Sequence, residues 1–293
     1  MFDSPLIELR RLEQAAAAEE YALVLAAMGI ACRLVPYERG IGLEVTAPEA
    51  ERAAAELAAY DEENRPPAVP AGYALASGID GAVVYCAVAV FLHAASNGGW
   101  FDADWWSTGS AQAGLIRHGE WWRVFTALGL HADAGHLIAN LALGSVFAVL
   151  LSERLGTGLS WLAILLAGAA GNALNAWIQP DGHTSIGAST AVFGALGLLA
   201  ALSWRQGAAR GMGGLRRWLP LAAGLMLLSF LGVGGERTDV IAHVLGFAVG
   251  VTFGALLHAL DRHRARSRLG HLGCGAAALA LMALAWLAAM GVA

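Results

Sequence analysis

Between residues 73 and 291 the chain repeats one pattern: a long apolar run, a short polar break, then another run. A helix needs about 20 apolar residues to cross the hydrocarbon core of a bilayer. Backbone amides in lipid must be satisfied within the protein, which limits spanning structures to helices and closed barrels. The runs read as helical spans near 73–95, 136–152, 160–179, 187–204, 215–234, 239–260 and 271–291. Their abundant Gly and Ala suit close helix–helix approach. Only 14% of residues are charged, against about a quarter in a soluble domain. That balance excludes a disordered chain and a basic nucleic-acid binder.

The apolar pattern does not begin at residue 1. Residues 1–65 hold 6 Arg and 13 Asp plus Glu, a net of −7, and residues 66–293 hold 12 Arg and 10 Asp plus Glu, a net of +2. The formal charge of −5 is their sum. The expected organisation is a small α/β domain over 1–65, a Pro-rich linker over 66–72, a six-span core over 73–260, and a loop with a seventh span over 261–293. In the head, helical periodicity covers 12–30 and stops at Gly29. Two β-like runs, Cys32–Pro36 and Ile41–Val45, flank a turn at Glu38-Arg39-Gly40, and Pro48 opens a second helix to about Glu63. The head carries no catalytic constellation and does not name its partner. The N-terminus has no basic stretch ahead of an apolar core, so no signal peptide is expected. Cys32, Cys86 and Cys274 lie too far apart for a disulfide framework or a metal cluster, and no cofactor is implied.

Arginine sets the orientation. Arg205, Arg210, Arg216 and Arg217 follow the fourth span, and Arg262, Arg264, Arg266 and Arg268 follow the sixth. The positive-inside rule places both loops, and with them the N-terminal head, in the cytoplasm. An Arg-only basic set with abundant Ala and Gly fits a GC-rich bacterial genome, so the expected location is a bacterial inner (plasma) membrane. Residues 96–123, on the outer side, are too polar to span yet hold Trp100, Trp105, Trp106, Trp121 and Trp122. Interfacial aromatics of this kind predict a structured loop lying partly in the headgroup layer.

Polar residues within spans are costly, so each asks for a reason. Three clusters stand out. In the first, His131 and His136 precede Asn140, and the four-residue spacing puts His136 and Asn140 on one helix face. Polar packing between helices explains such a pair equally well. The second runs from Ser185 through Gly187, Ser189 and Phe193 to Gly194. Ser189 opens a helix, which is what a cap does, but free N–H groups and the positive end of the helix dipole also gather there. The third holds His243, with Gly246 and Gly250 forming a small-xxx-small face below it. The second and third clusters start spans that run inward from the outer side, so Ser189 and His243 fall at matched depth near the outer face. A serine and a histidine so placed have the geometry of nucleophile and base. His136 and Asn140 reach the same layer as hydrogen-bond donors to developing negative charge. The chain has no Lys, no His-Glu-x-x-His and no Gly-x-Gly-Asp, which removes Ser–Lys, zinc and aspartyl proteolysis.

Trp122-Arg123, then His131, His136 and Asn140, then Gly187-Ala-Ser189, then His243 with Gly246 and Gly250, together resemble the rhomboid family of intramembrane serine proteases across roughly residues 73–260. The resemblance implies that Ser189 is the nucleophile and His243 the general base. It implies an oxyanion hole of His136, Asn140 and the Ser189 backbone N–H, and a Phe193 ring packed on the catalytic His. Trp122-Arg123 would belong to a loop lying sideways in the membrane, and the last span would be the extra helix of a six-plus-one arrangement. Substrates would be transmembrane proteins in the lipid bilayer, with no metal or other cofactor. One departure is Thr190, where the family commonly has Gly; a β-branched residue there is expected to alter the pocket without abolishing activity. Two rivals are a non-catalytic rhomboid-like binder or chaperone of membrane proteins and a transporter. The second is disfavoured because the polar groups gather near one face instead of the midplane.

Overall fold

A computed structural model describes residues 4–37, 40–64, 78–209, 213–232, 238–260 and 268–291. The chain divides into two compact units, Met1–Tyr73 and Ala74–Ala293. The linker over 66–72, the turn residues Glu38 and Arg39, the first residues of the first span, and Arg210, Arg262, Arg264 and Arg266 lie outside the described residues, as does the Arg268 side chain.

The first unit runs β1 (Leu6–Leu12), α1 (Ala15–Ala27), β2 (Cys32–Pro36), β3 (Ile41–Thr46) and α2 (Ala50–Glu63). The sheet is antiparallel with order β1-β3-β2. Leu25, Ile30, Leu43, Val45, Ala53 and Leu57 form its core. The two expected strands are present, and β1 is a third that sequence periodicity did not show. Its register shifts between Glu8 and Arg10, and a bulge of this kind breaks the alternation by which a strand is read. Pro48 sits in a 3-10 turn, Ala47–Glu49, ahead of α2.

The second unit opens with α3 (Ile79–Gly98). The Trp-rich loop then folds as α4 (Trp105–Gly109), β4 (Ala111–Gln112), α5 (Ala113–Arg117) and α6 (Arg123–Thr126). Next come α7 (Ala134–Leu155), α8 (Thr157–Ile178), β5 (Thr184–Ser185), α9 (Ser189–Ala209), α10 (Leu219–Leu231), α11 (Val240–Leu260) and α12 (Arg268–Ala289). β5 pairs with β4, so the loop after α8 is tied to the Trp-rich segment. Seven long helices thus stand where seven spans are expected among the described residues. Six of them, counting the 3-10 turn ahead of α10, are long and apolar enough to cross a membrane by length and composition. The protein is an integral membrane protein.

The seventh, α9, is not one of those six, and its surroundings explain why. It starts on Ser189-Thr190 and carries Arg205 and Gln206 near its other end, and every residue from 191 to 198 is buried. It packs against α7, α8, α10 and α11. A helix sheathed by others meets little lipid, so its composition answers to protein packing. Glycines set the approach of α9 to α11. A Cβ on Gly250 would lie 3.0 Å from Cα of Gly194, and one on Gly197 would lie 2.9 Å from the Val251 nitrogen. Backbone cannot yield as a side-chain tip can. We expect Gly250→Val to destabilise the folded core by about 1–3 kcal/mol, read as a lower unfolding midpoint in detergent. Phe193, Val192, Leu196 and Leu198 belong to the buried cluster that joins these helices.

Candidate active site

Ser189 is the first residue of α9 and His243 the fourth of α11. Both therefore lie in the opening turn of neighbouring helices, and their side chains meet. Nε2 of His243 stands 2.8 Å from Oγ of Ser189, and Nδ1 stands 3.0 Å from the carbonyl oxygen of Gly232. A carbonyl can only accept, so Nδ1 carries the ring proton in the neutral form and Nε2 is left with its lone pair toward the serine hydroxyl. Gly232 is the C-cap of α10, where helix carbonyls lack partners in their own helix. A backbone carbonyl thus orients the imidazole, as a carboxylate does in a Ser-His-Asp triad. The Phe193 ring lies 4.6 Å from the imidazole between centroids. It sits one turn below Ser189 on α9 and covers the histidine face.

His136 comes to the same place from α7. Asp133 caps that helix, its Oδ1 accepting the His136 N–H at 2.8 Å. Gly187 has φ +115°, and a Cβ there would lie 2.6 Å from Nε2 of His136 and 3.7 Å from Oγ of Ser189. The missing side chain leaves a gap between imidazole and hydroxyl. An oxyanion formed on Ser189 would sit against that gap, within reach of the His136 ring and the N–H groups that open α9. Asn140 is buried, and its amide donates to the His136 carbonyl at 2.9 Å along α7. Its side chain therefore steadies the turn that presents His136.

His131 precedes α7 and is fully buried. Its Nε2 accepts the Ala188 N–H at 3.4 Å, holding the peptide just ahead of Ser189, and its ring meets His136 edge-on at 5.2 Å. Burial first, then the neighbouring His136, push the His131 imidazole down to about 4. The unfolded chain binds this proton between about pH 4 and pH 6.5 and the folded chain does not, so stability rises with pH across that window. We expect unfolding midpoints to fall as pH drops from 6.5 toward 4, and His131→Asn to flatten that slope.

Thr190 is buried with its methyl in the seam between α8 and α11. A Cβ on Gly171 would lie 2.7 Å from that methyl, and one on Gly246 3.0 Å. The extra bulk is thus met by two glycines on neighbouring helices. Trp122 and Arg123 do a different job. The Trp122 indole donates to the Thr108 carbonyl at 3.3 Å, and Arg123 donates to Glu120 at 2.6 Å and to the Ser110 carbonyl at 2.8 Å. These bonds fasten the Trp-rich loop to itself. Trp105 of that loop packs on Trp286 of α12 at 4.6 Å between centroids.

Sequence reasoning missed the Gly232 carbonyl and a knot around Asp239. Oδ2 of Asp239 accepts from Asn175 at 2.6 Å and from His183 at 2.7 Å, while Oδ1 accepts the Ala242 N–H at 3.1 Å. Burial alone raises the Asp239 carboxyl, but the bonds from His183, the Ala242 N–H and Asn175 outweigh it and hold the group below the usual carboxylate range. An Asp one residue ahead of a helix is a readable cap signal. Its partners in the loop and on α8 are not readable. Among the described residues no group of three or more His, Cys, Asp or Glu side chains could hold a metal ion.

A membrane-embedded helical bundle with a serine and a histidine paired at the start of two packed helices defines the class. Residues 118–260, which contain every residue of this pair and its gap, match the family model of the Rhomboid domain. The chain therefore contains a Rhomboid domain over those residues. It is 34% identical over 151 residues to Rhomboid-like protease 3 of Toxoplasma gondii, covering 49% of this chain and 54% of that protein. It is 29% identical over 135 residues to the putative rhomboid protease YdcA of Bacillus subtilis (strain 168), covering 46% of this chain and 66% of that protein. Over 93 residues it is 42% identical to Rhomboid protease GluP of the same organism, covering 31% of this chain and 18% of that protein. The first two matches span between about half and two thirds of those relatives.

Proposed function

We propose that this protein is an intramembrane serine endopeptidase that cleaves transmembrane protein substrates. The observation that carries the reading is the 2.8 Å contact between Oγ of Ser189 and Nε2 of His243, with Nδ1 anchored on the Gly232 carbonyl. Names of relatives that include the word protease support it. In the first half-reaction, His243 takes the Ser189 proton as Oγ attacks the scissile carbonyl carbon. The carbonyl oxygen becomes an oxyanion beside Gly187, stabilised by His136 and the N–H groups at the start of α9. The intermediate collapses to an acyl-enzyme, and the protonated His243 gives its proton to the leaving amine. Water then attacks the acyl carbon as His243 takes its proton, and His243 passes that proton to Oγ of Ser189 as the acyl C–O bond breaks, freeing the serine and a carboxylic acid that ionises in water.

A continuous helix hides its carbonyls in its own hydrogen bonds. Substrates are therefore transmembrane segments whose ends unwind readily. In the membrane the head faces the cytoplasm and the Ser189–His243 pair lies near the outer face of a bacterial plasma membrane. The test is turnover of a labelled transmembrane substrate by protein reconstituted in vesicles. The wild type is expected to release product over many cycles, and Ser189→Ala none. Substrate association without turnover in the wild type would replace this reading with the non-catalytic binder.

A further inference from the structure

A single carboxylate joins the two backbone segments that carry the dyad. Asp239 ends one residue ahead of α11, and its Oδ1 accepts the N–H of Ala242, the residue directly before His243, at 3.1 Å. Its Oδ2 accepts from His183 at 2.7 Å. His183 lies six residues before Ser189, just ahead of β5, and its own carbonyl accepts the Ala113 N–H at 2.9 Å. The third donor, Asn175, comes from the last turn of α8 at 2.6 Å. The Asp239 and His183 side chains are 13% and 27% exposed, so these bonds are shielded from most competing water.

This geometry matters because the Ser189–His243 contact spans two helices, and helix ends fray unless tied down. A dyad hydrogen bond is sensitive to displacement: an error of about 1 Å costs on the order of a hundredfold in rate. The Gly232 carbonyl fixes the rotation of the imidazole but not the height of the α11 backbone. Asp239 fixes that height. It pins the first turn of α11 to the loop that leads into Ser189 and to the end of α8.

We propose that Asp239, bridged by His183 and Asn175, is a positioning residue that sets the distance between His243 and Ser189. This inference rests on the protease reading above. A buried carboxylate with three donors also caps its helix, and a cap contributes stability whatever the site does. The experiment must therefore separate stability from positioning.

The probe is a fluorophosphonate reacted with the full chain in detergent, followed to completion. The final extent of labelling counts folded sites, and the rate constant reports on the dyad. Asp239→Ala is expected to label to the wild-type extent at a rate lowered about ten- to a hundredfold. Cleavage of a transmembrane substrate should show the same fall in kcat with KM little changed. Asp239→Asn retains the acceptor for Ala242 but spoils the bridge, and should fall between the two. His183→Ala, a loop substitution that leaves α11 intact, should slow labelling in the same sense and covers the case in which Asp239→Ala does not fold. Wild-type rates in both Asp239→Ala and His183→Ala, or a reduced extent at an unchanged rate, would overturn the proposal. A wild type that does not label at all overturns the protease reading instead.

Discussion

Replacing His243 by alanine is expected to lower the cleavage rate by about ten-thousand-fold or more, because nucleophile and base act as a unit and neither works alone. The serine hydroxyl at Ser189 is a poor nucleophile until a base removes its proton. With no Lys in the chain, and with Nε2 of His243 2.8 Å from the hydroxyl, the imidazole is the base in reach. The alanine variant also leaves space beside the Phe193 ring, which lies tilted against the imidazole at 4.6 Å between centroids. His243→Gln separates the two effects: it refills much of the space without supplying a base. Both variants should lose cleavage and fluorophosphonate labelling together, and the glutamine variant should keep more of the wild-type stability. A glutamine variant that retained a tenth of the wild-type rate would contradict the role given to His243.

The second large effect is expected at Gly187. Its φ of +115° lies where L side chains are rarely found, and a Cβ would stand 2.6 Å from Nε2 of His136. Gly187→Ala therefore strains the backbone, at about 1–3 kcal/mol, and pushes the His136 ring out of the gap beside Ser189. Loss of one oxyanion donor lowers kcat by about a hundred- to a thousandfold. The matching experiment is His136→Ala, which removes the same donor without the strain. The two variants should show similar losses of kcat with KM little changed, while only Gly187→Ala should also lower the unfolding midpoint. Wild-type kcat in His136→Ala would remove that residue from the oxyanion site.

Much of this was legible in the sequence because lipid imposes simple demands. Spans of the required length announce themselves, and a Ser and a His each near the start of an inward-running span must lie at similar depth. α9 shows where composition stops helping. Its sheath of four helices relaxes the need for an apolar surface, so the helix that carries the candidate nucleophile has the weakest membrane signature of the seven. β1 was hidden by the register shift between Glu8 and Arg10. Thr190 looked like an intrusion near the oxyanion until Gly171 and Gly246, distant in sequence, turned out to face its methyl. The Gly232 carbonyl has no side-chain signature at all. His183 and Asn175 lie 56 and 64 positions from Asp239, and only the packing of α8, the β5 loop and α11 brings them to one carboxylate.

A Ser189 nucleophile activated by His243 should react with an electrophile that mimics the scissile carbonyl. The most direct test is to react the purified full chain with a fluorophosphonate, digest it and map the adduct. A single modified residue, Ser189, is expected in the wild type, and no adduct in either Ser189→Ala or His243→Ala. An adduct on another residue, or cleavage of a transmembrane substrate by Ser189→Ala at the wild-type rate, would contradict that role for Ser189.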